Sequence, residues 1–147
     1  IGGKTNITIS YAGDGKYAAA EDVNVTVTVN KLPTAIIVNS AIEVDVDGTN
    51  TIVATADGRT LEFISLNESI VTVDKDTGVI TGIKGGLANV TVRFTENDKY
   101  LGDEVNVTVT VNKLTSSISA EPIDINVFES QLISPNIVGE GVISYVS

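Results

Sequence analysis

Apolar and polar residues alternate along most of this chain. Ile7, Ile9 and Tyr11 share one parity, while Asn6, Thr8 and Ser10 take the other. Successive side chains of a strand point to opposite faces, so this pattern predicts a strand with one buried face. Gly13-Asp14-Gly15 breaks it. Val23, Val25, Val27 and Val29 resume it, with Asn24, Thr26 and Thr28 outward. Further short strands are predicted over 35–38, 42–46, 51–56, 61–65, 70–73 and 79–80, with Asn39-Ser40, Asp47-Gly48, Asp57-Gly58 and 74–78 as turns. Ala88, Val90, Val92 and Phe94 form another inward row, and a polar loop over 95–104 leads to a last long strand over 105–111. No apolar stripe of helical period occurs, so no helix of consequence is expected. Short strands with turn signals every ~8 to 12 residues predict an all-β sandwich or barrel.

The string VNVTVTVNKL occupies 23–32 and recurs at 105–114, so Val105 lies 82 positions after Val23. Upstream the spacing is 83: Asn6-Ile7-Thr8 matches Asn89-Val90-Thr91, and Lys16-Tyr17 matches Lys99-Tyr100. The one-residue slip is expected in the loop after the tyrosine, where insertions are tolerated. An internal repeat of this kind makes the chain an array. Residues 33–114 form one complete unit of about seven to eight strands. Residues 1–32 are the last two strands of a preceding unit, and 115–147 are the first strands of a following one, with 123–127 matching 42–46 and 142–147 matching 61–65. On this reading the chain is an excerpt of a longer array. A lone strand pair buries too little apolar surface to stand alone. The two partial units are completed either by neighbouring units or by the tail of one chain adding strands to the head of another.

Composition narrows the function. Hydrophobic residues make up 42% of the chain and aromatics only 5%, so the core is built from β-branched side chains. The net charge of −10 and pI near 4.2 leave no basic patch for nucleic acid. With no His and no Cys, the commonest general base and the strongest nucleophile are missing, so no catalytic residue and no cofactor are expected. No run of ~20 apolar residues is present, so no membrane insertion is expected in this segment.

The stretch IVTVDKDTGVITGIKGGLANVTV at 70–92 resembles the latter half of a bacterial immunoglobulin-like domain of group 2. YAGDGKYAAAEDVNVTVTV at 11–29 is similar to related prokaryotic Ig-like repeats with a Y-x-G-D-x-x-Y hairpin before the last strand. The copy at 94–111 differs from it by Phe94 for Tyr11 and Asn97-Asp98 for Asp14-Gly15. The resemblance implies tandem Ig-like β-sandwich repeats, one complete unit flanked by two partial units, in an extracellular, cell-surface adhesin-like stalk or homo-oligomeric filament. It also implies two alternatives: a phage or virus tail or capsid decoration module, and an accessory Ig-like module of a secreted glycan-active enzyme. For the stalk, the linkers NKLPT and NKLTS are expected to join stiff units, Pro33 limiting hinge freedom.

Five N-x-S/T sequons occur, at Asn6, Asn24, Asn67, Asn89 and Asn106, and are the candidate glycosylation sites. Asn89 and Asn106 lie on the polar parity of their strands. As a hairpin, those strands are expected to oppose Asn89 to Thr110, Thr91 to Thr108 and Arg93 to Asn106. Asp45, Asp47 and Asn50, and Asp74 and Asp76, have the spacing of calcium loops but lack the full ligand ladder and terminal Glu, so turn chemistry accounts for them. Lys31 beside Asn30 and Lys113 beside Asn112 sit at unit junctions, where an isopeptide bond would need a buried Lys, Asn and acid. Tyr11, Tyr17 and Tyr100 are expected to cap strand ends.

Overall fold

The computed structural model describes residues 1–146; Ser147 lies outside the described residues. The chain opens with a hairpin of β1 (Gly3–Tyr11) and β2 (Ala20–Val29). Then come β3 (Ile37–Val38), β4 (Ile42–Asp45), β5 (Thr49–Thr51), β6 (Ala54–Thr55) and β7 (Glu62–Ser65). After them run β8 (Val71–Val73), β9 (Val79–Gly82), β10 (Gly86–Phe94) and β11 (Asp103–Asn112). Last are β12 (Ser117–Ser119) and β13 (Asn136–Val138). The fold is all-β, a sandwich preceded by a strand hairpin and followed by a short strand pair.

The β10–β11 hairpin is the frame of the central sandwich. Its alternation places Ala88, Val90, Val92 and Phe94 inward from one strand and Val107, Val109 and Val111 from the other, all buried. β4 adds to β11 in parallel, setting Ile42 beside Val109 and Val44 beside Val111. β7 adds to β10 antiparallel, setting Phe63 beside Val92. Across the core lies the sheet β5–β9–β8, contributing Ile80 and Val71, with the small β3–β6 pair beside it. Burying each of these valines and isoleucines contributes about 1.5–3 kcal/mol.

One strand read as continuous in the sequence is split. The stretch 51–56 divides into β5 and β6, which join different sheets, and fully buried Ile52 lies at the crossing, its N–H bonded to the Gly78 carbonyl at 2.9 Å. The two strands expected before it form separately as β3 and β4, the chain turning between them at Ala41 with φ of 92°. The stretch 33–114 thus contains nine strands rather than seven to eight.

The flanking segments are open. The chain exposes 11145 Å², whereas a compact monomer of this mass exposes roughly 7,200 Å². Among the described residues, all those of the buried core lie from Ile42 to Val111. In the tail, 123–127 and 142–146 carry no strand although both were expected as counterparts of β4 and β7. The reason is the missing partner. β4 and β7 exist by pairing with β11 and β10, and the tail has no long hairpin of its own to pair with. Among the described residues of the tail, only β12 and β13 are formed, pairing with each other as β3 and β6 do.

Candidate interaction surface

The leading hairpin is a copy of β10–β11 stripped of its coverings. Gly3 opposes Val29 as Gly86 opposes Val111, and Ile9 opposes Val23 as Val92 opposes Val105. The burial is different. Val90 is 0% and Val92 0% exposed, while their counterparts Ile7 and Ile9 are 52% and 57% exposed. Phe94 is 8% exposed and Tyr11 46%. Val23, Val25 and Val29 continue this bare apolar face. The extra residue of the first copy sits at the start of β2 as a bulge, where Glu21 and Asp22 stand opposite Ser10. It is not in the loop after the tyrosine, because Tyr11 still meets Ala20 as Phe94 meets Asp103. A bulge absorbs one residue without reversing the alternation beyond it.

The outward face of each hairpin carries the sequons in reciprocal pairs. The strands take a register two residues from the expected one: Asn89 faces Thr108, Thr91 faces Asn106 and Arg93 faces Glu104. Both registers keep the valines inward, so alternation alone does not choose between them. The observed one lets Thr91 Oγ1 donate to Asn106 Oδ1 at 2.6 Å and Thr108 Oγ1 to Asn89 Oδ1 at 3.1 Å. In the first hairpin Thr8 donates to Asn24 at 2.6 Å and Thr26 to Asn6 at 2.8 Å. The hydroxyl of each sequon therefore holds the asparagine of the sequon opposite. Asn67 stands apart in a turn, its Oδ1 accepting from Ser69 N at 3.2 Å and Ser69 Oγ at 2.6 Å. All five asparagines are exposed.

The acidic turns are occupied by their own backbone. Asp74 Oδ1 accepts from Thr77 Oγ1, Thr77 N and Asp76 N at 2.7, 2.8 and 3.2 Å, which holds its carboxyl below the usual carboxylate range, the Thr77 hydroxyl being the largest cause. Asn50 Nδ2 donates to the Glu43 carbonyl at 2.8 Å and its Oδ1 accepts from Thr51 N. Gly48 N closes a turn onto the Asp45 carbonyl, and Asp47 N donates to the Gly82 carbonyl, both at 2.9 Å. Among the described residues no group of three or more acidic, His or Cys side chains converges on one point.

The first linker is docked. Leu32 N donates to the Lys99 carbonyl at 2.8 Å, Leu101 N to the Leu32 carbonyl at 2.9 Å, and Gly2 N to the Asp98 carbonyl at 2.9 Å. Lys31 pairs with Glu96. Thus Lys31 faces a carboxylate of the next unit, and the equivalent Lys113 folds over Gly85 as Lys31 does over Gly2. Asn112 reaches Glu43, and Asn30 is exposed. What orders the junction is this set of backbone bonds to the 95–102 loop, beyond the stiffness of Pro33. The loop is itself shaped by Asn97, whose Oδ1 accepts from Lys99 N and Tyr100 N at 2.9 Å. The loop between β1 and β2 has the same form, with Asp14 Oδ1 accepting from Lys16 N at 2.7 Å and Tyr17 N at 2.9 Å.

Arg59 was not legible as a structural residue from sequence. Its guanidinium lies 3.8 Å from the Tyr100 ring centroid and 5.9 Å from that of Phe94, and Nη1 donates to the Ala56 carbonyl at 3.0 Å. Tyr100 is thereby half-buried as a cap, while its counterpart Tyr17 is exposed.

No family model matches the chain, and no curated protein matches it. Among solved structures it is similar to the C-terminal 282-residue fragment of intimin, crystallised in complex with the intimin-binding domain of the translocated intimin receptor. Identity is 19% over 69% of this chain, with a TM-score of 0.37, and the chain spans 38% of that fragment. A likeness that loose carries no functional conclusion.

Proposed function

We propose that the chain is a non-catalytic, adhesin-like structural segment of an extracellular cell-surface stalk or filament. Its units are 1–32, 33–114 and 115–147, the first and last completed by a neighbouring unit of the same or an adjacent chain, strand complementation being the means of joining end to end. The observation that carries this reading is the junction: one repeat's hairpin ends in backbone bonds from Leu32 and Gly2 to the loop of the next. Sandwiches joined this way stack in a line and hold whatever they carry away from the surface. The sequons are proposed as glycan attachment sites. Sugars and the negative charge would keep neighbouring rods from adhering side to side.

The test is immunogold labelling of intact source cells with antibody to this chain. Label standing off the cell envelope supports the stalk. Label confined to the cell interior or to released virions overturns it. Intact mass of the native protein tests the sugars; a mass equal to the bare polypeptide removes them.

A further inference from the structure

The bare face and edges of β1–β2 have counterparts in the same molecule whose coverings are known. β11 is edged by β4, β10 by β7, and the 95–102 loop is capped by Leu32. The described residues of the tail carry the matching pieces outside any strand. Ile123-Asp124-Ile125-Asn126 corresponds to Ile42-Glu43-Val44-Asp45. Ile143-Ser144-Tyr145 corresponds to Leu61-Glu62-Phe63. Val44 and Phe63 are buried, while Ile125 and Tyr145 are 55% and 63% exposed.

Resting on the stalk reading, we propose that the occupant of the β1–β2 face is the tail of a second copy, in a register set by the central sandwich. Val109 beside Ile42 becomes Val27 beside Ile123 of the second copy, in parallel. Thr110 beside Glu43 becomes Thr28 beside Asp124, and Val111 beside Val44 becomes Val29 beside Ile125. On the other edge, Val92 beside Phe63 becomes Ile9 beside Tyr145, antiparallel. Leu114 of the second copy then caps the 12–19 loop. Its N–H bonds the Lys16 carbonyl and its carbonyl accepts from Ala18 N, as Leu32 does with Lys99 and Leu101.

Three features of the repeat agree on this occupant. The parallel edge of β2, the antiparallel edge of β1 and the preformed loop at Asp14 are spaced along the head as their partners are along the tail. The composite lacks a counterpart of the β8–β9 hairpin, and Arg59 and Glu96 fall on Gly141 and Gly13. Its affinity is therefore lower than that of a complete unit for its own strands. Two copies with net charge −10 each also repel, so added salt strengthens the association.

The chain has no cysteine, which makes cross-linking clean. Thr28→Cys and Asp124→Cys chains, each alone in the polypeptide, are mixed under mild oxidation. The proposal expects a disulfide-linked heterodimer, and a ladder of multimers when one chain carries both substitutions. A Lys16→Cys chain mixed with Asp124→Cys, a pair on different parts of the composite, should stay uncrosslinked. Sedimentation of the unmodified chain should show mass rising with concentration and salt, and Val25→Asp or Ile125→Asp should each leave monomers. Mixing those two variants should restore a 1:1 dimer and nothing longer, since one good head and one good tail remain. A monomer at all concentrations, cross-linking of Thr28→Cys chains to each other alone, or dimers persisting in Ile125→Asp overturns the proposal. None of these outcomes decides where the protein resides in the cell, so failure here is distinct from failure of the stalk reading.

Discussion

Thr91 and Asn106 face each other across β10 and β11, the threonine hydroxyl donating to the carboxamide oxygen at 2.6 Å. Thr8 and Asn24 make the same bond in the leading hairpin. The bond fixes register and leaves the asparagine Nδ2 open to solvent, so one pair of residues serves both as a cross-strand clasp and as a candidate glycan acceptor. In protein from a host that does not glycosylate, Thr91→Val should lower stability by about 0.5–1 kcal/mol, and Thr91→Ser should restore most of it. Chemical denaturation measures both. An unchanged midpoint for Thr91→Val would remove the clasp.

Equivalent residues should respond unequally to truncation. Val90→Ala opens space in a packed core and should cost about 1–3 kcal/mol. Ile7→Ala, at the same place in the bare hairpin, should cost less than ~0.5 kcal/mol in the monomer, as exposed positions do. Thermal unfolding at low protein concentration separates the two. Equal losses would mean that the head is covered in solution.

The alternation from Ala88 to Phe94 and from Val105 to Val111 identifies the central hairpin, and its copy in 6–29 identifies the repeat. The hairpin register is not visible there, because a shift of two residues keeps Val90 and Val107 inward. Nor is the sheet crossing at Ile52, which depends on where β9 and β3 lie in space. The unformed strand at 123–127 has the right pattern; what it lacks is a neighbour. Among the site residues, sequence locates the exposed sequons and the turn aspartates. It is silent about Arg59, whose role comes from meeting Tyr100 some forty positions away.

Arg59 should tolerate little change. Its guanidinium stacks on Tyr100 and its stem lies against the core end, so Arg59→Ala should cost about 1–2 kcal/mol through lost cation–π contact and packing. Arg59→Lys should recover only part, because a point charge lacks the planar stack. Urea melts of the three proteins, with Tyr100→Leu as the double-cycle partner, measure the coupling. Additive effects of the two substitutions would contradict the stack.

Acid should loosen the β7–β10 edge. Glu62 bonds Arg93 at 2.7 Å and Lys75 at 3.0 Å, and the Arg93 hydrogen bond, then that of Lys75, holds its carboxyl below the ordinary 4.5. A carboxyl depressed in the folded state contributes stability that is fully present above its unfolded value. That contribution is lost as pH falls from about 4.5 through the lower folded value. Glu62→Gln should flatten the stability–pH curve in that window only, and by a small amount, since both partners are exposed to solvent. A larger change near neutral pH would assign the dependence to another group.

A stalk segment of the kind proposed has its units arranged in a line. Small-angle X-ray scattering of the dilute, monomeric chain tests this most directly. A compact globule of this length has a radius of gyration of about 15 Å. The account predicts a distinctly larger radius, with a rod-like distance distribution whose tail extends beyond the central sandwich at both ends. A radius near that of a compact globule with a symmetric distribution would contradict it.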